Sequence, residues 1–375
     1  MIQKSFILLS VCLAIIIFGN TRLAFSLPES TYGAYVKYVK ATVSVPNPVS
    51  ESAFFVFNAK EFNSVIFVGD VLLSRNVEYL MRERGSSYPY KGFNFSKISD
   101  RPAVIGNFEA SIPVEHFPTP LNTVTFSVDE QHIDAAQQNG FTHFSLANNH
   151  SFDFDLGGFQ NTKAVLKQAR IKSFGQPEAP SKNSVSYIKL RDKTLAVIGV
   201  ETLTGSMTNK LAAEVIQDAE MKSDFQIIYV HWGSEYAPTS NQSQREWAQL
   251  FVDAGADLIV GLHPHVVQEV GLIDGVLVFY SLGNYIFDQY FSTEVKEGLV
   301  IALNFDEASV DLIPVESATH LSQPRQMDSL SYGKFLRNLA GKSSNEIRLE
   351  ITTGQLRLYN KVATSTKIAM INSIN

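Results

Sequence analysis

The sequence predicts an α/β fold in which helices cover a largely parallel sheet, and two features of its central part lead to this prediction. Short runs of apolar and often β-branched residues recur from residue 64 onwards and are typical of buried strands. Amphipathic stretches with helical periodicity, such as 156–169 and 242–254, lie between several of these runs. Such an alternation of strand and helix indicates a layered α/β protein.

Composition sets the broad class of the protein. The chain has 375 residues, of which 45% are hydrophobic and 18% charged, so it has ample material for a buried core in one large or two modest domains. The 31 Lys+Arg against 37 Asp+Glu give a net charge of −6, and there is no long basic run. This balance argues against nucleic acid as a partner and favours a cation or a small substrate.

The N-terminal segment has the pattern of a secretory signal peptide. Lys4 precedes an apolar run over 5–19, and small residues at Ala24 and Ser26 form a cleavage site. We therefore predict a signal peptide over 1–26 and export to the periplasm or cell envelope, with an uncleaved membrane anchor as the alternative. The only cysteine, Cys12, lies in this segment, so a metal site in the mature protein must use His, Asp, Glu and Asn.

Two flanking segments differ from the centre. Residues 27–63 alternate short β-branched and aromatic stretches with Pro and Asn, which predicts peripheral strands. After about residue 320 a Ser/Gln-rich stretch leads to the apolar–polar alternations at 347–351 and 356–358. These predict a β hairpin, so we expect 321–375 to form a C-terminal β extension.

The predicted strands of the centre are short apolar runs at 65–68, 103–105, 144–147, 195–199, 227–230, 258–260 and 277–282. Polar side chains follow five of them, namely Asp70, Glu109, Asn148-Asn149-His150, His231 and His263-Pro264-His265. Ligands of open α/β sheets bind beyond the carboxyl ends of the strands, so these groups are expected to converge on one crevice.

Each of these groups also has a simpler interpretation when taken alone. Asp70 can cap a helix, Glu109 can be a surface acid, His231 a core histidine bonded to backbone, and Asn148-Asn149 a turn. Two imidazoles flanking a proline, as in His263-Pro264-His265, are harder to dismiss, because metal sites use this spacing. Together, and in this order, the five groups favour a site.

Seven motifs in the centre of the chain closely resemble the capsule synthesis protein CapA family. That family is linked to bacterial poly-γ-glutamate capsule assembly and has the fold of calcineurin-like metallophosphatases. The resemblance covers about residues 64–305, and its motifs are Gly69-Asp70-Val71, Gly106-Asn107-Phe108-Glu109, Ala147 to Asp155, His231 to Tyr236, Asp253 to Gly261, His263 to Gln268 and Tyr280 to Gln289.

The resemblance implies a metallophosphatase-like α/β sandwich of two sheets flanked by helices over 64–320, with extra peripheral β segments. It implies one or two divalent ions, with Mn, Zn and Fe as candidates. By analogy one ion would be bound by Asn149, His231 and His263, the other by Asp70 and His265, with Glu109 as the bridge. His150 would act as a general acid or as a stabiliser of substrate charge, or else hold the Asn149 loop by bonding to a nearby aspartate.

The chain departs from the metallophosphatase pattern at two positions. Leu72 stands where those enzymes have a histidine ligand, and Glu109 where they have aspartate. We therefore expect the Asn149, His231, His263 side to bind metal better. Four further residues in the matched motifs are predicted to line the pocket, namely Arg75, Glu235, Asn284 and Asp288. Arg75 suits a clamp for carboxylate or phosphate, with a solvated helix residue as the alternative.

The function implied is that of an exported CapA-like protein in poly-γ-glutamate, capsule or related envelope-polymer biosynthesis, with a metal-dependent hydrolase-type site. Its partners would be an anionic polymer or a small anionic substrate, and a membrane synthase complex. Two other functions stay open from the residues, which are a non-catalytic partner of polymer or synthase and a periplasmic metallophosphodiesterase unrelated to capsule.

Overall fold

The fold is seen in a computed structural model that describes residues 61–121 and 123–359. The predicted signal peptide and nearly all of the predicted strands of 27–63 lie outside these residues, as does the end of the C-terminal extension. None of the helices in the described ranges combines the length and apolar character needed to cross a bilayer.

Strands and helices alternate through the described residues. The strands are β1 (Ser64–Val71), β2 (Pro102–Phe108), β3 (His143–Ser145), β4 (Lys172–Phe174), β5 (Val185–Leu190), β6 (Lys193–Glu201), β7 (Phe225–His231), β8 (Leu258–Leu262), β9 (Val270–Ile273), β10 (Val276–Phe279), β11 (Asn284–Ile286), β12 (Glu297–Asn304), β13 (Ser309–Glu316), β14 (Arg325–Gln326) and β15 (Gln355–Arg357). The helices are α1 (Arg75–Arg84), α2 (Ile133–Gln138), α3 (Asp155–Gln168), α4 (Asn209–Glu220), α5 (Gln242–Asp253), α6 (Ser329–Lys342) and α7 (Arg348–Thr353).

The described strands form two sheets. The first has the order β14-β13-β12-β1-β2-β3-β4, with β11 beside β1 and β15 beside β13. The second has the order β5-β6-β7-β8-β10-β9. β1 to β4 are mutually parallel, and so are β6, β7, β8 and β10. The carboxyl ends of these two parallel sets carry the predicted site residues.

Alternation along the central strands builds three apolar layers. In β1, Val65 and Phe67 point to the core between the sheets, whereas Ile66 points to the outer face beneath the helices. In β7, Tyr229 joins the same inner core and Ile228 packs with α4 and α5 on the other outer face. Because successive side chains of a strand point to opposite faces, strands buried on both faces need continuous apolar runs. The predicted α/β sandwich of two sheets flanked by helices is confirmed.

The predicted C-terminal β extension is wrong over most of its described part, because 329–342 is helix α6. The predicted hairpin within it is wrong in its first half. The segment 348–353 is helix α7, and only Gln355–Arg357 forms a strand, which pairs with β13. Ile347 and Ile351 are buried while Leu349 is 79% exposed. In a strand all three would share one face, but in a helix the i, i+4 pair shares a face from which Leu349 points away. Apolar–polar alternation over only five residues fits the period of a strand and that of a helix. Packing against the core then decides which of the two forms.

A buried histidine in β3 makes the stability of the fold sensitive to acid. His143 is 1% exposed, and burial lowers its pKa to about 3. The unfolded chain takes up this proton near pH 6.5, whereas the folded chain does not, so stability is lost as the pH falls below 6.5. Between pH 7 and pH 5 the wild type is expected to lose about 2 kcal/mol more unfolding free energy than His143→Gln. Denaturant titrations at both pH values measure this difference, and equal losses would contradict it.

Candidate metal centre

The predicted ligands meet in one place, where the carboxyl ends of β1, β2 and β3 face those of β7 and β8. Asp70, Glu109 and His231 are fully buried. His263 and His265 are buried as well, and Asn149 is half-buried in the loop after β3. Five strands from two sheets thus deliver carboxylates, imidazoles and an amide to one crevice.

Asp70 is directed into the crevice by an irregularity of β1. The register of β1 shifts against β2 between Phe67 and Asp70, and against β11 directly after Asp70. A Cβ atom on Gly69 would lie 1.8 Å from the carbonyl oxygen of Gly283, so only glycine permits this approach of the two strands. Asp70 does not cap α1, whose N-cap is Ser74, and its Oδ2 accepts from the backbone N–H of His263 at 3.2 Å.

Glu109 lies at the centre of the cluster and is not a surface acid. Both of its carboxylate oxygens are buried without a hydrogen-bond partner among the described residues. Its Oε1 lies 3.5 Å from Nε2 of His265 and 3.9 Å from Nε2 of His150. Burial raises its pKa well above the usual range, and the negative charges of Asp70 and Glu235 add to this rise. A cation would relieve these unfavourable contributions together.

The segment His263-Pro264-His265 is held in a strained backbone conformation. His263 has φ of 92° and His265 has φ of 58°, both in the left-handed region that side chains rarely adopt. Tyr236, with φ of 62°, donates its backbone N–H to the carbonyl of Pro264 at 2.8 Å. Strain of this kind persists where the surroundings over-determine it and concentrates at functional sites. Here it presents both imidazoles to Glu109.

The two imidazoles after β8 differ in their partners. Nδ1 of His263 is buried without a partner among the described residues, whereas Nδ1 of His265 lies 3.0 Å from Oδ1 of Asn284. Burial, and after it the neighbouring His265, lower the pKa of His263 to about 4. Its imidazole is therefore neutral at pH 7, which is the form that binds metal ions.

Both ring nitrogens of His231 form hydrogen bonds with side chains. The alternative interpretation, a core histidine bonded to backbone, therefore does not describe its ring. Its Nε2 lies 2.8 Å from Oδ1 of Asn149, and its Nδ1 lies 3.2 Å from Nδ2 of Asn107. Burial lowers its pKa well below the usual range, with smaller contributions from the other histidines of the site. Asn107 is fully buried, and although it stands in the motif Gly106-Asn107-Phe108-Glu109, it was assigned no role from the sequence. Its position near the carboxyl end of β2, where the other site residues also lie, could have identified it as a site residue.

His150 is oriented by an aspartate and an aromatic ring. Its Nδ1 lies 3.0 Å from Oδ2 of Asp153, and its ring stacks on Phe126 at 4.1 Å between centroids. These contacts turn Nε2 towards Glu109 and to within 3.2 Å of the amide nitrogen of Asn149. The bond to aspartate predicted as the structural alternative is present, and it also directs the other ring nitrogen into the crevice.

The four predicted pocket residues have different surroundings. Arg75 is paired with Asp288, and its guanidinium lies 4.7 Å above the ring of Phe126. Its side chain is only 13% exposed, so it is not a solvated helix residue. Asn284 is buried against His265, and Glu235 is exposed beside the crevice. The substrate-binding roles of these four residues remain predictions.

The donor set fits a divalent cation. Two groups of three buried residues each offer ligand atoms within 4.8 Å of one another, and they are Glu109, His263, His265 and Asp70, Glu109, His231. Imidazole nitrogen and carboxylate oxygen are ligands of Zn, Mn and Fe. Glu109 belongs to both groups, and its role as a bridge stays a prediction. The histidines divide differently from the implied arrangement, however, because His263 groups with His265 and His231 with Asp70.

Comparison with known proteins places the chain in a family. The profile of the family described as "Bacterial capsule synthesis protein PGA_cap" matches residues 64–289, a range that holds every predicted ligand. The "PGA biosynthesis protein CapA" of Bacillus subtilis (strain 168) is 27% identical over 302 residues, or 75% of this chain and 78% of the relative. The "Capsule biosynthesis protein CapA" of Bacillus anthracis is 28% identical over 277 residues, or 67% of each chain.

Among solved structures, a novel phosphatase from Mycoplasma pneumoniae is similar with a TM-score of 0.41 and 11% identity, covering 70% of this chain and 91% of that chain. The family match extends over more than half of the 375 residues and includes β1, β2, β3, β7 and β8, whose ends form the site. The resemblance found in the sequence is thereby confirmed, and the chain belongs to the bacterial capsule synthesis protein family PGA_cap.

Proposed function

We propose that the protein is an exported factor in the biosynthesis of poly-γ-glutamate or a related anionic envelope polymer, and that it has a metal-dependent hydrolase-type site. The names of the two Bacillus relatives support the pathway. One observation carries the proposal of a metal site, which is the buried carboxylate of Glu109 whose two oxygens have no partner among the described residues and face imidazoles. A buried, unpaired carboxylate is costly unless a proton or a cation neutralises it, and the imidazoles around Glu109 suit a metal cation.

The proposed ligands are drawn from Asp70, Glu109, Asn149, His231, His263 and His265. A divalent ion held there would supply Lewis acidity and an activated water, which is what hydrolysis of a phosphoester or amide needs. We propose Mn, Zn or Fe as the metal, since the ligands mix imidazole and carboxylate. In its doubly protonated form His150 would donate the Nε2 proton to the leaving group and become neutral, while Asp153 would accept from Nδ1–H and keep the ring in place.

We propose an anionic substrate, with Arg75 as the group that faces it. Its ring contact with Phe126 and its pairing with Asp288 fix the guanidinium in the wall of the crevice. Its Nε is buried without a hydrogen-bond partner among the described residues. A planar guanidinium held in this way can bind a carboxylate or phosphate with its remaining N–H groups. Asn284 would orient His265, and Glu235 would lie at the exposed rim.

Deletion of the gene and complementation test this proposal. We expect the deletion strain to lose an anionic envelope polymer, and the wild-type gene to restore it. Purified protein with added Mn²⁺ or Zn²⁺ should turn over a phosphodiester or a γ-glutamyl amide, and the same protein treated with a chelator should not. Unchanged polymer in the deletion strain would refute the pathway. Restored polymer without turnover of either substrate class would favour the non-catalytic polymer- or synthase-binding function.

Export is tested separately by sequencing the native N-terminus. Because Lys4, the apolar run and Ala24-Phe25-Ser26 have the pattern of a signal peptide, we expect cleavage after Ser26 and a mature chain that begins at Leu27. Edman or mass-spectrometric sequencing of protein from the envelope fraction measures this. An intact Met1 in the membrane fraction would indicate the anchor instead, and an intact Met1 on soluble cytoplasmic protein would contradict export.

A further inference from the structure

The amide of Asn107 lies between Asp70 and His231 and is bonded to both. Its Nδ2 donates to Oδ1 of Asp70 at 2.8 Å and lies 3.2 Å from Nδ1 of His231. We propose that Asn107 limits the centre to one tightly bound divalent ion, held around Glu109, His263 and His265. Its N–H groups point at the atoms of Asp70 and His231 that a second ion would need as ligands. This inference rests on the proposed metal-binding function.

Backbone groups fix the orientation of the Asn107 amide. The backbone N–H of His150 donates to Oδ1 of Asn148 at 3.1 Å, so the NH₂ group of Asn148 points the other way. That group donates to the carbonyl of Phe108 at 2.9 Å and to Oδ1 of Asn107 at 3.0 Å. A backbone N–H can only donate and a carbonyl can only accept, which excludes the flipped orientations. Asn107 therefore presents N–H, and not oxygen, to the two ligand residues.

This orientation sets the tautomer of His231. Its Nδ1 must accept from Asn107, so a neutral ring carries its proton on Nε2, which then donates to Oδ1 of Asn149 at 2.8 Å. A neutral imidazole has one nitrogen lone pair, and here that lone pair is directed at the amide. Asp70 accepts from Asn107 and from the backbone of His263 but keeps further lone pairs. The restriction on a second ion therefore falls mainly on His231.

In the group around Glu109, by contrast, the lone pairs of the ligand atoms are not blocked by an amide. Nδ2 of Asn284 donates to the carbonyl of Val295 at 3.0 Å, so its Oδ1 faces Nδ1 of His265 and accepts from it. His265 thus carries its proton on Nδ1, and its Nε2 lone pair is free at 3.5 Å from Oε1 of Glu109. Nδ1 of His263 and both oxygens of Glu109 are buried and unpartnered among the described residues. These atoms are oriented as ligands before any ion arrives.

Asn107→Asp tests the proposal. The carboxylate has no N–H to place between Asp70 and His231, and it adds a ligand and a negative charge. After equilibrium dialysis against micromolar Mn²⁺ or Zn²⁺, metal analysis should find about one equivalent in the wild type and about two in Asn107→Asp. Asn304→Asp is the matched control. Oδ1 of Asn304 already accepts from the backbone N–H groups of residues 306 and 307, so a carboxylate can replace the amide there. This variant adds the same charge outside the site, and its metal content should stay at the wild-type value.

Nitrogen-15 spectra of the imidazoles in metal-free wild type give an independent readout. We expect a protonated Nε2 in His231 and a protonated Nδ1 in His265. Two tightly held ions in the wild type, the reverse tautomers, or a folded Asn107→Asp variant that still binds one ion would each overturn the inference. Circular dichroism establishes the folding of the variant. Two ions in the wild type would leave the proposed function intact, whereas no bound ion at all would remove the metal site on which both depend.

Discussion

Glu109→Gln is expected to weaken metal binding by roughly 100-fold or more and to abolish any metal-dependent turnover. The glutamine amide is neutral and offers one oxygen where the carboxylate offers two. Glu109 belongs to both close groups of buried ligand atoms among the described residues, so its loss affects whichever group holds the ion. Metal analysis after dialysis and turnover of a phosphodiester or γ-glutamyl substrate measure the two effects.

The same substitution should stabilise the metal-free protein. Burial and the charges of Asp70 and Glu235 raise the pKa of Glu109, so its ionised form opposes folding above the ordinary carboxyl pKa of about 4.3. We expect Glu109→Gln to melt at a higher temperature than the wild type in chelator at pH 7. The two should converge below pH 4, where both folded and unfolded states are protonated. Added Mn²⁺ at pH 7 should instead make the wild type melt at the higher temperature.

Glu235→Gln provides the control for charge. Glu235 contributes to the negative field at Glu109 but is exposed and lies outside both groups of ligand atoms. The Glu235→Gln variant should keep its metal. In chelator its melting temperature should rise by only a small part of the increase expected for Glu109→Gln. Retention of metal by Glu109→Gln, or a lower melting temperature than the wild type in chelator, would contradict our view of the centre.

His150→Asn is expected to reduce turnover, or complementation of a polymer-deficient strain, by about 10²- to 10⁴-fold, the usual worth of a positioned acid or base. Its metal content should stay near that of the wild type. The ring is held at Nδ1 by Asp153 and against Phe126, so that Nε2 faces the crevice without belonging to either close group of ligand atoms. Metal analysis and turnover on the same sample separate the two roles.

Asp153→Asn is the companion variant. It keeps a side chain of the same shape next to His150 but replaces the carboxylate that pairs with Nδ1. We expect a smaller loss of turnover than for His150→Asn, again with metal retained. Loss of metal in step with turnover in His150→Asn would mean that the residue only supports the Asn149 loop. Full function in that variant would favour the polymer-binding alternative.

Much of the architecture could be predicted because its determinants are local. Strands buried on both faces must be continuously apolar, so apolar runs such as 65–68 and 227–230 can be recognised as strands in the sequence. The polar residues that end these strands then share one edge of the sandwich, which is why Asp70, Glu109 and His231 were expected together. The loop residues Asn149 and His150 followed the same rule.

What the sequence could not show depends on distant partners. Arg75 and Asp288 are 213 positions apart, and only the folded chain shows that they form an ion pair. Asn107 is an uncharged amide in a run of apolar residues, and its importance comes from contacts with residues of β1, β7 and the loop after β3. At 347–351 the local pattern fits a helix and a strand equally, and burial of Ile347 and Ile351 in the core decides the outcome.

The order of the strands has a consequence for how the chain is made. β1, the first strand described, is completed on its other side by β12, where Val65 pairs with Leu303. α6, later still in the sequence, contacts both β9 and β13 and adds Phe335 and Leu336 to the core between the sheets. Contacts so distant in sequence form slowly. During synthesis β1 therefore cannot pair with β12 until the last third of the chain has begun to emerge, so closure of the sandwich is a late event.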